Sequence, residues 1–294
     1  MDYFLALAVS GLLSGAVYAL VGVAFVVVYR ASSVLNFSLG EWVSLGARTT
    51  AAGVHGLGLP LAGALCLALA VLATLALAFN RIVLHPLIGR PVVAAVMATL
   101  ALGVFMRGGS ALSLGALPAS IPFPLTDEVW WWGEVSVPPA RLLASGVAIL
   151  LVLAVMAFFR FSRAGLAIRA VADDPQAAAV VGIGAARYLV LAWLLSAGLC
   201  AAGGVLWTID GMGGFGMGLV LAKVLPVVVI GGLTSFAGAL VGAVTVGLAE
   251  SLVAGYVDPW LGVGSASTVA AAMVILMLWL RPAGLFGARA VQRV

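Results

Sequence analysis

The uncharged apolar runs of this chain constrain its fold more than any other feature. Residues 4–29 contain no charged side chain and end at Arg30. That exceeds the roughly 20 apolar residues a helix needs to cross about 30 Å of hydrocarbon. Comparable runs cover residues 60–79, 142–159, 188–209 and 261–280, with a shorter one over 91–106 that ends at Arg107. The apolar stretches are continuous rather than alternating, which argues against a membrane β-barrel with its polar lumen. Composition agrees: 64% of the residues are hydrophobic and 8% charged, against about 25% charged in an ordinary soluble domain. A soluble enzyme, a nucleic-acid binder and a disordered chain are all disfavoured. The basic residues are scattered, so the positive net charge marks no nucleic-acid patch. The expected fold is an all-α polytopic transmembrane helical bundle of about eight spans, including broken or re-entrant helices, in a single transmembrane domain over 1–294.

Two segments depart from the simple span. Residues 33–53 are interrupted by Glu41 and Arg48, two turns apart and so on one helix face. Residues 224–249 contain Pro226, Gly231, Gly232, Gly238 and Gly242, which predicts a broken pair of helices. The arginines set an orientation. Arg30, Arg81, Arg90, Arg160, Arg163, Arg169, Arg187, Arg281, Arg289 and Arg293 can share one side. The other side then receives Asp2, Asp127, Glu128, Glu134, Asp210 and Asp258, with Arg141 as its main basic residue. This predicts an outside N-terminus and a cytoplasmic C-terminus. The first apolar run is too long for a cleaved signal and reads as a retained span. The external loop 115–140 carries five prolines around Trp130-Trp131-Trp132, an interfacial aromatic belt or a docking surface for an external partner. Cys66 and Cys200 both fall inside apolar runs and read as packed side chains rather than a disulfide.

The loop 160–187 lies between two long runs. Within it Asp174 suits an N-cap, Pro175 the first helical position and Gly182 a left-handed stop. A helix of about two turns over 175–181 is too short to span and too short to be stable alone in water. It needs a surface to pack on, its own bundle or a partner.

Four stretches resemble permease subunits of the high-affinity branched-chain amino acid ABC importers. Arg169 to Ile183 resembles that family's cytoplasmic loop. Gly11-Leu12-Leu13-Ser14-Gly15-Ala16-Val17-Tyr18-Ala19-Leu20, followed by Tyr29-Arg30-Ala31-Ser32, looks like its first helix. Leu35-Asn36-Phe37-Ser38-Leu39-Gly40-Glu41 is similar to a motif usually written LNFAQGE, with Ser38-Leu39 in place of Ala-Gln. Gly231-Gly232-Leu233-Thr234-Ser235-Phe236-Ala237-Gly238-Ala239 looks like its glycine-rich stretch, and Glu250 follows at the usual distance. The four occur in the family's order and cover most of residues 10–285.

The resemblance implies an alternating-access importer of branched-chain or related hydrophobic amino acids in the inner membrane. It implies a coupling helix docked on an ATPase, carried by Arg169, Asp173, Asp174, Pro175, Gln176, Ala178 and Gly182. It also implies a second, homologous permease subunit, two ATP-binding cassette subunits and an external substrate-binding protein, with membrane lipid around them and no nucleic acid. Related permeases for urea, short amides or aromatic acids share the same motifs.

Charges at membrane depth face a bundle interior or a water-filled cavity. Asn36, Glu41 and Lys223 are therefore candidates for the translocation path, and the resemblance implies that Gly231, Gly232 and Gly238 form a broken element lining the cavity between two permease subunits. The alternative is that the polar residues satisfy one another and the freed backbone of broken helices. No phosphate-binding Gly-x-x-x-x-Gly-Lys-Ser/Thr motif occurs. The chain is thus expected to be a transport subunit rather than an enzyme and to hold no cofactor, with ATP and Mg bound by partner subunits. His55 and His85 lie far in sequence from both cysteines, and no metal site is indicated. An ion-coupled secondary transporter is the competing class, with Glu41 and Glu250 as its only acids at membrane depth.

Overall fold

A computed structural model describes residues 2–87, 89–115, 121, 129–132, 135–209, 220–261 and 264–287. Asp127, Glu128, Glu134, Asp210, Arg289 and Arg293, used above for orientation, lie outside them. The helices are α1 (Asp2–Ser32), α2 (Leu39–Leu57), α3 (Leu61–Phe79), α4 (Val92–Leu114), α5 (Pro139–Phe161) and α6 (Arg163–Asp173). There follow α7 (Pro175–Val180), α8 (Ala185–Ile209), α9 (Val220–Gly231), α10 (Phe236–Tyr256), α11 (Asp258–Leu261) and α12 (Ser265–Leu280). Among the described residues six helical segments are long and apolar enough to cross a membrane, and α9 and Thr268–Leu280 of α12 add two shorter apolar helices. A π-helical turn over Asn80–Leu84 extends α3. Outside the helices, β1 (Trp130–Trp132) pairs antiparallel with β2 (Val135–Val137), so the three tryptophans form one side of a short hairpin.

The chain divides into two compact units. One comprises Met1–Val26, Leu125–Leu150 and Ala222–Val294, the other Val27–Pro124 and Leu151–Leu221. In the second unit α2 packs against both α3 and α8, which also touch each other. Small residues let these backbones approach. A Cβ on Gly46 would stand 2.7 Å from the Ala201 Cα, and one on Gly204 would stand 2.8 Å from the Ala47 amide nitrogen. Larger rings fill the space beside these contacts. Trp193 lies with its ring centre 6.3 Å from Trp42 and 5.3 Å from Phe79.

In the first unit the opening turns of α1 lie against α10 through glycines of both helices. A Cβ on Gly11 would stand 2.7 Å from the Gly247 carbonyl oxygen, and one on Gly15 would stand 3.0 Å from that of Ala243. Ser251 donates to the Leu7 carbonyl at 2.6 Å and closes the pair. The expected break in residues 224–249 falls between α9 and α10. Gly232 there has a φ of 104°, a backbone state that L side chains rarely adopt. Gly231 and Gly238 face each other so closely that neither has room for a Cβ. After α12 the chain returns to this break, where Leu285 and Phe286 donate backbone hydrogen bonds to Ile230 and Gly231 at 2.8 and 3.0 Å. Carbonyls freed by the end of α9 are thereby satisfied.

Candidate functional site

The loop expected over 160–187 is mostly helical. Ser162 ends α5 and caps α6, accepting from the Gly165 amide at 2.9 Å. Sequence reading missed α6, because two arginines and a glycine in its first seven residues look like a linker. Its apolar residues nevertheless recur on one face, where Ala167, Ile168 and Val171 are buried. Gly165 permits the turn-back, since a Cβ there would stand 2.6 Å from the Phe158 carbonyl oxygen and the Phe159 Cα.

Asp174 is at once the C-cap of α6 and the N-cap of α7, accepting from the Gln176 and Ala177 amides at 2.9 Å each. Pro175 opens α7 as expected, and α7 ends at Val180, one residue earlier than the sequence suggests. Gly182 has a φ of 82°, the left-handed stop. Ala178 is the buried side chain of this turn, while Val180 and Val181 are 88% and 72% exposed. Asp173, Asp174 and Gln176 are exposed as well, and the half-buried Arg169 has an Nε with no hydrogen bond among the described residues. A cavity of about 290 Å³ opens beside α6, lined among others by Ser33, Arg90, Val171, Leu189 and Trp193. On that side α6 is not fully packed.

A second cluster forms where α1 gives way to α2. Ser33 has a φ of 55°, in the left-handed region that usually falls to glycine. The chain then runs without regular structure to α2. The Phe37 amide donates to the Thr99 hydroxyl at 3.3 Å. Thr99 is seven residues into α4, about 10 Å along it. Asn36 Oδ1 accepts from the Ser38 amide at 3.1 Å and the Ser38 hydroxyl at 2.6 Å, and Trp42 Nε1 donates to Ser38 Oγ at 3.1 Å. Asn36 and Ser38 are buried. This irregular backbone is enclosed by protein and satisfied by side chains, the condition for its presence at membrane depth.

Glu41, in the first turn of α2, accepts from Arg107 Nε at 2.8 Å and from Arg107 Nη2. Its partner is therefore Arg107 of α4 rather than Arg48, its neighbour on the same helix face. Arg107 went unassigned in the sequence because it stood at the end of an apolar run. In the fold α4 continues through it to Leu114.

The third cluster lies in the other unit. Lys223 Nζ donates to Glu250 Oε2 at 3.0 Å and to the Tyr18 hydroxyl at 3.0 Å, and that hydroxyl donates to Glu250 Oε2 at 2.6 Å. Tyr18 and Glu250 are buried, and Glu250 Oε1 has no hydrogen bond among the described residues. Lys223 and Glu250 are thus direct partners. Tyr18 joins them, although nothing in its apolar surroundings in the sequence singles it out. Gly231, Gly232 and Gly238 form the α9–α10 break described above.

These features define a multi-pass helical membrane protein in which charged side chains are held at membrane depth by specific partners. The family described as the permease component of the branched-chain amino acid transport system matches residues 7–280. The high-affinity branched-chain amino acid transport system permease protein LivH of Escherichia coli (strain K12) is 27% identical over 310 residues, 99% of this chain and 98% of that protein. LivH of Salmonella typhimurium gives the same figures. BraD of Pseudomonas aeruginosa, which carries the same description, is 27% identical over 307 residues, again 99% of this chain and 98% of its own. No solved structure gives a significant match. The chain belongs to the branched-chain amino acid transport permease family.

Proposed function

We propose that this chain is the transmembrane permease subunit of an ATP-binding-cassette importer. It carries branched-chain or related hydrophobic amino acids inward across the inner membrane by alternating access. Family membership supports the transport role, and the α6–α7 hairpin is the observation that carries the coupling role. A six-residue helix has too few hydrogen bonds to persist unaided. Asp174 nevertheless caps it, Ala178 anchors it, and two valines project from it into solvent.

An ATPase subunit gripping that tip would pull on α6, and α6 continues into α5 through the Ser162 cap. Arg169, Asp173, Asp174, Pro175, Gln176, Ala178 and Gly182 are the residues assigned to this coupling. A second, homologous permease would complete the path, with Asn36, Glu41, Lys223, Gly231, Gly232 and Gly238 near it. Two ATPase subunits would bind ATP and Mg, and an external binding protein would deliver the substrate.

The test is co-expression with candidate ATPase, permease and binding-protein subunits, followed by uptake assays in proteoliposomes. ATP-dependent uptake of leucine, isoleucine and valine is the expected result. Uptake driven by an ion gradient without an ATPase would sink the reading. Preference for urea, short amides or aromatic acids would move the substrate assignment alone.

A further inference from the structure

Arg107 is the sixteenth residue of the 23-residue α4. It stands about 22 Å from the start of the helix and about 10 Å from its end, inside a hydrocarbon layer about 30 Å thick. Yet its side chain is 67% exposed, while its partner Glu41 is 13% exposed. Val93, Leu100 and Val104 share its stripe of α4 at helical spacing, and all are exposed. A guanidinium on a stripe facing lipid would be strongly disfavoured, and charged side chains within spans face water-filled cavities or protein.

The geometry leaves work for this group. Glu41 takes Nε and Nη2 through one carboxylate oxygen. A guanidinium has five N–H donors in a planar fork, so three remain for another acceptor. Glu41 is itself fixed in the first turn of α2, beside the buried Asn36–Ser38–Trp42 network. Gly103 keeps the adjoining side of α4 free of a side chain, and a Cβ there would already meet Ser38 at 3.5 Å and Glu41 Cγ at 3.8 Å. The arginine is therefore held from behind and open in front, the arrangement that suits a planar carboxylate.

We propose that Arg107, positioned by Glu41, lines the water-filled translocation path on α4 and binds the carboxylate of the passing amino acid. The assignment rests on the importer reading above.

The experiment uses the complete complex of permeases, ATPases and binding protein in liposomes. Arg107→Gln should lower leucine uptake about ten- to hundredfold, the scale of a lost charge-assisted hydrogen bond. Arg107→Lys, which keeps the charge, should recover part of it. Equilibrium binding to the detergent-purified permease–ATPase complex should favour leucine over leucinol, which lacks the carboxylate. Arg107→Gln should abolish that preference. Where the single variant fails to assemble, Glu41→Gln combined with Arg107→Gln removes both charges together.

Independently, Val104→Cys in a background lacking Cys66 and Cys200 should react with a charged, membrane-impermeant thiol reagent in the assembled complex. An unreactive thiol there, or equal binding of leucine and leucinol by the wild-type complex, overturns the proposal. So does a variant whose only change is its dependence on anionic phospholipid, which would make Arg107 a lipid-phosphate anchor. A wild-type complex that moves no amino acid would defeat the importer reading itself. Intact leucine uptake by Arg107→Gln would defeat the arginine's role alone.

Discussion

Lys223, Tyr18 and Glu250 show how much a few polar atoms decide at the residue scale. The lysine sits three residues into α9 and the glutamate deep in α10, and each neutralises the other within 3.0 Å. Buried ion pairs add little net stability, but removing one partner leaves a charge without compensation. Lys223→Met is therefore expected to cost about 3–5 kcal/mol, the range for stranding a buried charge. Thermal unfolding of the purified protein in detergent would show this as a large fall in Tm. Lys223→Met combined with Glu250→Met should recover most of the loss. If the double variant is no more stable than the single one, the pair is not what holds this site.

Both charges of this pair were legible in the sequence as membrane-depth residues, but their pairing was not. They are separated by a helix break whose geometry no local pattern states. The same holds for Glu41. Its helical neighbour Arg48 was the nearest opposite charge along the chain, while Arg107, far off in sequence, is its partner in space.

Elements were most readable where local chemistry rules. Asp174, Pro175 and Gly182 announce a short helix by cap, first-turn residue and stop, and α7 follows them within a residue. The glycines around position 232 announce a break, and α9 and α10 flank one. By contrast α6 was hidden, because its stability comes from burying Ala167, Ile168 and Val171 rather than from propensity.

The exposed tip of α7 can be tested without disturbing the bundle. Val180→Asp alters a side chain that is 88% exposed, so Tm should change little, as for surface substitutions generally. Co-purification with the ATPase subunits and substrate-stimulated ATP hydrolysis should both fall. Asp174→Ala should cost about 1 kcal/mol of local helix stability, read as faster amide exchange over 175–180. Full assembly and full coupling in both variants would show that α7 merely rests on its own bundle.

At the scale of the whole molecule, six long apolar helices and two shorter ones among the described residues make a multi-pass membrane protein. Orientation follows from arginine placement, with Arg30, Arg90, Arg160, Arg163 and Arg169 expected at the cytoplasmic side. A fluorescent reporter fused after Val294 should therefore mature, and a phosphatase fused at the same point should stay inactive. The reverse pattern would invert the topology and place α6 and α7 outside the cell, away from any ATPase.

Membrane residence, helix class, the broken helix near position 232 and the cap of α7 were determined by the sequence alone. Each depends on hydrophobic length or on contacts within a few residues, and the chain states those locally. Tertiary structure alone decided that Glu41 meets Arg107, that Tyr18 joins Lys223 to Glu250, and that α6 is a helix at all. It also decided which glycines serve close approach, because Gly204 and Gly238 differ from other glycines only in what lies opposite them. Such pairings are set by the register between distant helices, and the energy that selects a register is shared among many contacts no short stretch of sequence contains.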